Sequence, residues 1–131
     1  MITFSIKTME RIDFVDITDK VSKEVKASGI ESGAVIVYIP HTTCGVTINE
    51  SADPDVITDL KAHFAKMVPQ NGDFQHYEGN SDSHIKTSIV GSSETIFIES
   101  GRLLLGTWQG LFLSDFDGPR TRKVYLKINQ G

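Results

Sequence analysis

The chain has one cysteine among 131 residues, only four prolines, and no surplus of positive charge, with 13 Lys and Arg against 17 Asp and Glu. Each shortage excludes something. A lone Cys44 cannot close an internal disulfide or offer paired thiolates to zinc, which suits a reducing cytoplasm and removes dithiol redox chemistry within one chain. The formal charge of -4, with bases scattered along the sequence, leaves no electrostatic footprint for a polyanion, so nucleic acid is not an expected partner. No segment approaches the roughly 18 uninterrupted apolar residues of a membrane span. The start, Met1 to Lys7, alternates apolar and polar side chains and lacks the basic start and apolar block of a signal peptide, so a cytoplasmic location is expected. No repeat, low-complexity block or linker divides the sequence, and residues 1–131 are expected to form a single domain.

What is present is an alternation of strand and helix patterns. Residues 2–15 predict one strand bent near Thr8 to Arg11. Thr18 is placed to cap a short helix carrying Val21 and Val25, with Gly29 as its left-handed stop. Gly33 to Ile39 and Cys44 to Ile48 predict strands on either side of a Pro40-His41-Thr42-Thr43 corner. Asp53 as N-cap and Pro54 as first helical residue open a helix that Pro69 closes, with Ile57, Leu60, Phe64 and Met67 as its apolar stripe. His63 falls beside that stripe, on the surface. Residues 70–83 are polar and glycine-containing, too long for a tight turn, and ordered loops of that length are often functional. A short helix from about Ser83 to Val90, stopped by Gly91, leads to the strand Thr95 to Glu99 and a turn at Ser100-Gly101-Arg102. Two last strands, near 107–116 and 121–128, reverse at Asp117-Gly118-Pro119. The fold class is α+β, rich in sheet and poor in helix.

Three polar groupings lie inside or beside these apolar elements. Gly106-Thr107-Trp108-Gln109-Gly110 sits between leucine-rich runs, where a buried unpaired polar group would cost roughly 1–3 kcal/mol. Either Trp108 is a core anchor with Gln109 satisfying a glycine bulge, or these groups are reserved for a ligand. His41, His76 and His84 fall in loops or at element ends, where histidine serves as metal ligand or acid/base, and three imidazoles plus water would match an open catalytic metal site. Their spacing is not diagnostic, and surface or hydrogen-bonding roles compete. Glu50, Asn49, Asp53 and Asp82 are near enough in sequence to orient imidazoles or hold Mg²⁺ through water, though Asp53 and Asp82 are also explained as helix caps. Arg102, Arg120 and Arg122 end the last strands, where turns bring them toward Lys86 as an anion rim or leave them solvated. Cys44, three residues from His41 along a strand, is expected to be a buried small residue and not a nucleophile.

Taken in order, Pro40-His41-Thr42-Thr43, Thr47-Ile48-Asn49-Glu50 with Ala52-Asp53-Pro54-Asp55-Val56, Glu78-Gly79-Asn80-Ser81-Asp82 with His84-Ile85-Lys86, and Gly91-Ser92-Ser93 through Gly101-Arg102 to Gly106-Thr107-Trp108-Gln109 resemble the motifs of the YjbQ-like family. That family, long described as uncharacterised, is now often called the secondary thiamine-phosphate synthase family. The resemblance implies a distorted β-sandwich with a few helices, assembled as a homotrimer, with a histidine-containing cleft and a divalent metal, Mg²⁺ or Zn²⁺. It implies a secondary thiamine-phosphate synthase activity, a transferase reaction joining a pyrimidine diphosphate to a thiazole phosphate with release of pyrophosphate. The expected partner is thus a small phosphorylated heterocyclic substrate. On this reading His41, His84, Glu50 and Arg102 are candidate catalytic groups. Asn49, Asn80, Asp82, Lys86, Trp108 and Gln109 are candidate substrate contacts, and His41, His76 and His84 candidate metal ligands. The alternatives are a non-catalytic trimeric protein that binds metal and metabolite, and a metal-dependent hydrolase using the histidine cluster.

Overall fold

The alternation that opens the sequence becomes strand β1 (Ile2–Lys7), with Ile6 buried and Thr3 and Ser5 turned outward. A computed structural model describes residues 1–131. In place of one bent strand over residues 2–15, the chain leaves β1 and enters β2 (Asp13–Asp16) in a different sheet. Polar side chains turn this corner. The Thr8 hydroxyl donates to Asp115 Oδ2 at 2.6 Å and accepts from the Arg120 N–H at 2.9 Å, while Asp13 Oδ2 accepts from the Met9 N–H at 2.8 Å.

Antiparallel pairing builds two layers. The larger sheet has the order β1-β8-β3-β5-β6, with β3 (Ser32–Tyr38), β5 (Ser93–Glu99), β6 (Arg102–Leu103) and β8 (Thr121–Gln130). The smaller has the order β2-β7-β4, with β4 (Cys44–Glu50) and β7 (Gln109–Asp115). Period-two alternation aims Val35, Val37, Ile96, Ile98, Val124 and Leu126 from one sheet at Cys44, Val46, Leu111 and Leu113 from the other. Each full burial of such an aliphatic side chain contributes about 1.5–3 kcal/mol, so this interlayer core dominates stability. Helix α1 (Thr18–Ser28) adds Val21 and Val25, one turn apart, and stops at Gly29 with φ 72° as its sequence predicts. Its start differs from expectation. Asp16 Oδ1 accepts from the Thr18 N–H at 2.9 Å, and the Thr18 hydroxyl accepts from the Leu111 N–H at 2.9 Å, so Thr18 ties the helix to β7 and does not cap it.

The outer face of the smaller sheet carries Phe14, Phe112 and Phe116, covered by Ile57, Leu60 and Phe64 of α2 (Pro54–Met67). That helix starts as predicted, with Asp53 Oδ1 accepting from the Asp55 N–H at 2.9 Å. Its apolar stripe ends one turn early, because Met67 is exposed. Helix α3 (Ser81–Val90) begins two residues before the expected start and reverses the usual amphipathic pattern: Asp82, Ser83, Lys86 and Thr87 are buried, whereas Ile85 and Ile89 are exposed. Its C-terminal turn meets β4 at Gly45, where a Cβ would stand 2.3 Å from the Gly91 carbonyl oxygen. No helix covers the outer face of the larger sheet, and Ile36, Tyr38 and Phe97 are exposed there. No helix is long and apolar enough to cross a membrane.

Candidate functional site

Polar burial concentrates where β3, β4, β7 and β8 end beside α3. Asp115, at the end of β7, is fully buried and takes a two-point grip from Arg122 of β8, Nη2 to Oδ1 at 2.7 Å and Nε to Oδ2 at 3.1 Å. The same guanidinium reaches Thr43 Oγ1 at 2.8 Å, and Thr43 O accepts from the Phe116 N–H at 3.0 Å. The corner expected from Pro40-His41-Thr42-Thr43 is thus nailed to the sheets by an ion pair that charge-assisted geometry makes strong. Arg122 is a structural group, not the solvated or anion-binding arginine its sequence position suggests.

His41 hangs from this corner. Its Nε2 accepts from the Lys123 backbone N–H at 2.9 Å. A neutral imidazole whose Nε2 accepts must carry its proton on Nδ1, so the ring is fixed as an Nδ1–H donor, and Nδ1 has no protein partner. Burial lowers the His41 pKa from its ordinary value, and the positive charge of Arg122 lowers it further; Asp115 opposes, while Arg120 and Lys123 add to the lowering.

Facing His41 across an open cleft of 730 Å³ is one side of α3, where His84, Thr87 and Ser88 recur at helical spacing, with Tyr38, Pro40 and Ser92 completing the walls. Thr87 is 4 % exposed, and its hydroxyl is one of two buried side-chain polar atoms without a partner, the other being Asn80 Oδ1. The His76 ring approaches that of His84 edge-on, 5.4 Å between centroids, and its Nε2 lies 3.9 Å from Glu78 Oε1. Thr87 and Ser88 carry no motif of their own; the only hint in the sequence is that they repeat the face of His84 on a helix lacking an apolar stripe.

Behind the cleft, the buried side of α3 is held by charge. Lys86 Nζ meets Asp82 Oδ2 at 2.6 Å, and Arg11 bridges Asp82 at 3.0 Å and Asp117 at 3.2 Å. Asn80 Nδ2 and Arg120 Nη2 also reach Asp117, at 2.9 and 3.1 Å. Asp82 and Lys86, expected as substrate contacts, neutralise each other here, and Asp82 does not cap the helix. The Ser83 hydroxyl donates to Phe116 O and closes the network.

The other candidates lie at the opposite end of the sandwich. Gln109 pairs with Glu50 at the far end of β4, six residues and about 20 Å from the strand start near His41. There Gln109 Oε1 accepts from the Gly106 N–H at 2.7 Å, Asn49 Oδ1 from the Glu50 N–H at 2.8 Å, and Glu50 Oε2 from the Ala52 N–H at 3.1 Å. Trp108 is 63 % exposed, which overturns the core-anchor reading, while Gln109 does satisfy a glycine-turn backbone group. Arg102, in the tight turn where Ser100 and Gly101 both have positive φ, borders a 400 Å³ hollow with Ser22, Lys26 and Leu105. Within one chain, Trp108, Glu50 and Arg102 do not form a wall of the His41 cleft.

Of the three histidines expected as metal ligands, two lie side by side and the third is hydrogen-bonded at the corner. His76 and His84 adjoin, but the His41 Nε2 lone pair is already engaged, and no three His, Cys, Asp or Glu side chains converge to hold an ion. Cys44 is fully buried; burial and the Asp115 charge push its thiol well above its ordinary pKa, so it is no nucleophile at neutral pH.

A family model described as UPF0047 protein YjbQ-like matches residues 2–131. Among curated relatives, a UPF0047 protein of Methanocaldococcus jannaschii is 50 % identical over 125 residues, covering 95 % of this chain and 91 % of its own. UPF0047 protein YugU of Bacillus subtilis is 48 % identical over 127 residues, 96 % of each chain. The crystal structure of an uncharacterised conserved protein of the YjbQ/UPF0047 family from Clostridium acetobutylicum superposes with a TM-score of 0.97 at 52 % identity, covering 98 % of this chain and 100 % of that one.

Proposed function

Because the chain belongs to the YjbQ-like UPF0047 family, whose function is uncharacterised, we propose that it binds a small phosphorylated heterocycle between the His41 corner and α3, and that it has a secondary thiamine-phosphate synthase activity. The observation that carries the reading is the pairing of His41 with His84 and Thr87 across one cleft. In that reaction the bond from the pyrimidine methylene to the diphosphate oxygen breaks, its electrons leave with pyrophosphate, and a ring nitrogen of the thiazole phosphate supplies the pair for the new carbon–nitrogen bond. The protein's part is to offset charge on the leaving group and keep water from the methylene cation. The positive charge of Lys123, which also bears on His41, supports the first, and the Tyr38 and Pro40 wall supports the second. Mg²⁺ enters as part of the magnesium diphosphate substrate and not as an ion held by the three histidines.

Arg102, Trp108 and Glu50 join this chemistry only if a second copy brings its far end to the cleft. A homotrimer with head-to-tail contacts would do so by ring closure. The helix-free face bearing Ile36, Tyr38 and Phe97, which reaches the cleft at Tyr38, supports such an assembly. A non-catalytic metabolite-binding role is the second reading. It is favoured by His41 itself, whose engaged Nε2 leaves it a donor and not a proton carrier.

Purified protein supplied with both substrates and Mg²⁺ is expected to form thiamine phosphate, with a large loss in His41→Ala. No product above a mock-purified blank would sink the synthase reading and leave the binding role.

A further inference from the structure

The structure assigns a narrower task to the cleft: we propose that its floor is a phosphoryl-binding subsite, in which His41 donates through a fixed Nδ1–H and Thr87 donates through its hydroxyl. This rests on the cleft being the binding site, but not on the synthase reaction.

Three observations converge. The Lys123 N–H holds His41 Nε2 as an acceptor, which determines the tautomer and presents the opposite ring edge as a donor without a partner. Thr87 is buried on the same cleft lining with a hydroxyl that nothing in the protein satisfies, although a helical threonine can ordinarily turn its hydroxyl back to a carbonyl one turn earlier. Finally, the lining contains no carboxylate: hydroxyls, two imidazoles and backbone surround the space. A cation would find no anionic oxygen there. A tetrahedral oxyanion meets donors on both walls, the His41 ring on one and the hydroxyls of α3 on the other, while Arg122 is turned inward and its charge is met by Asp115.

The neighbouring hollows do not share these features. Lys86, Asp82 and Arg11 border a 440 Å³ hollow, but their charges are paired with one another. Arg102 and Lys26 border another without any buried unpaired donor.

The test is NMR on the full-length protein labelled with nitrogen-15, titrated with inorganic phosphate at constant ionic strength. Before phosphate, His41 should show the Nδ1–H tautomer with Nε2 hydrogen-bonded. On titration, the His41 Nδ1 and Thr87 amide signals should move together and saturate. Thr87→Val should weaken phosphate about tenfold, the loss of one hydrogen bond to a charged group, and Thr87→Ser should restore it. An Nε2–H tautomer, a response that never saturates, or equal phosphate affinity in Thr87→Val would overturn the subsite. So would Zn²⁺ that binds His41 Nε2 and releases the Lys123 amide. The two readings fail separately: saturable phosphate without thiamine phosphate ends only the synthase, and synthesis by a protein with the Nε2–H tautomer ends only the donor subsite.

Discussion

The two ends of the sandwich handle polar residues in opposite ways. At the Trp108 end, Gln109, Asn49 and Glu50 bond to backbone groups one to three residues away, and the tryptophan stands in solvent. At the His41 end, the bonds of Asp115, Arg122, Thr8 and Thr43 join residues up to 112 positions apart, and all four residues are buried. A polar group satisfied by its own turn needs no ligand to explain it. Among groups satisfied across the fold, one left over is informative, and Thr87 is such a group.

The contrast is most easily broken at Asp115. Asp115→Ala leaves Arg122 charged and buried, which should cost about 3–5 kcal/mol in urea unfolding and free the His41 corner. If the loss is no larger than at an exposed pair, the corner is not held as described. At the other end, Gln109→Ala removes one exposed hydrogen bond and should cost only about 0.5–1.5 kcal/mol. Trp108→Ala should change stability by no more than about 0.5 kcal/mol in the isolated chain. A markedly larger loss that depends on protein concentration would show that a second copy covers the indole.

Thr87→Val sharpens the comparison in the opposite direction. Because the hydroxyl has no partner, the isosteric methyl should leave stability unchanged or raise it by up to about 1 kcal/mol, even as phosphate affinity drops. A clear loss of stability would mean that the hydroxyl is already bonded. The smallest effect concerns pH. The folded pKa of His41 lies below its ordinary value, so the unfolded chain binds the extra proton first as pH falls. Its contribution is complete above about pH 6.5 and fades as pH falls from there toward the folded pKa. Stability measured against pH should lose this component in a His41→Gln variant.

Much of the fold was legible where the signal is local. The strand near Gly33 to Ile39, the Asp53-Pro54 helix start and the Gly29 stop stand as predicted, within a residue or two at their ends. The division of residues 2–15 between two sheets was not legible, because it is enforced by Thr8 bonding to Asp115 and Arg120, more than 100 residues away. The polar burial of α3 was hidden for a related reason. Asp82 reads as a helix cap and Lys86 as part of an anion rim until Arg11 and Asp117 arrive to complete the buried charge network.

By itself, then, the sequence determined the strand and helix periods, the Asp53 cap, the turn glycines and, through the ordered motifs, the family. Those signals act over a few residues or survive as patterns that need no coordinates. Tertiary structure alone decided that His41 faces His84 and Thr87 while Trp108 and Glu50 stand at the far end. It also decided which nitrogen of His41 is free. Neither fact is encoded at any one position, because each depends on where a distant backbone group, the Lys123 N–H or the end of β7, comes to rest.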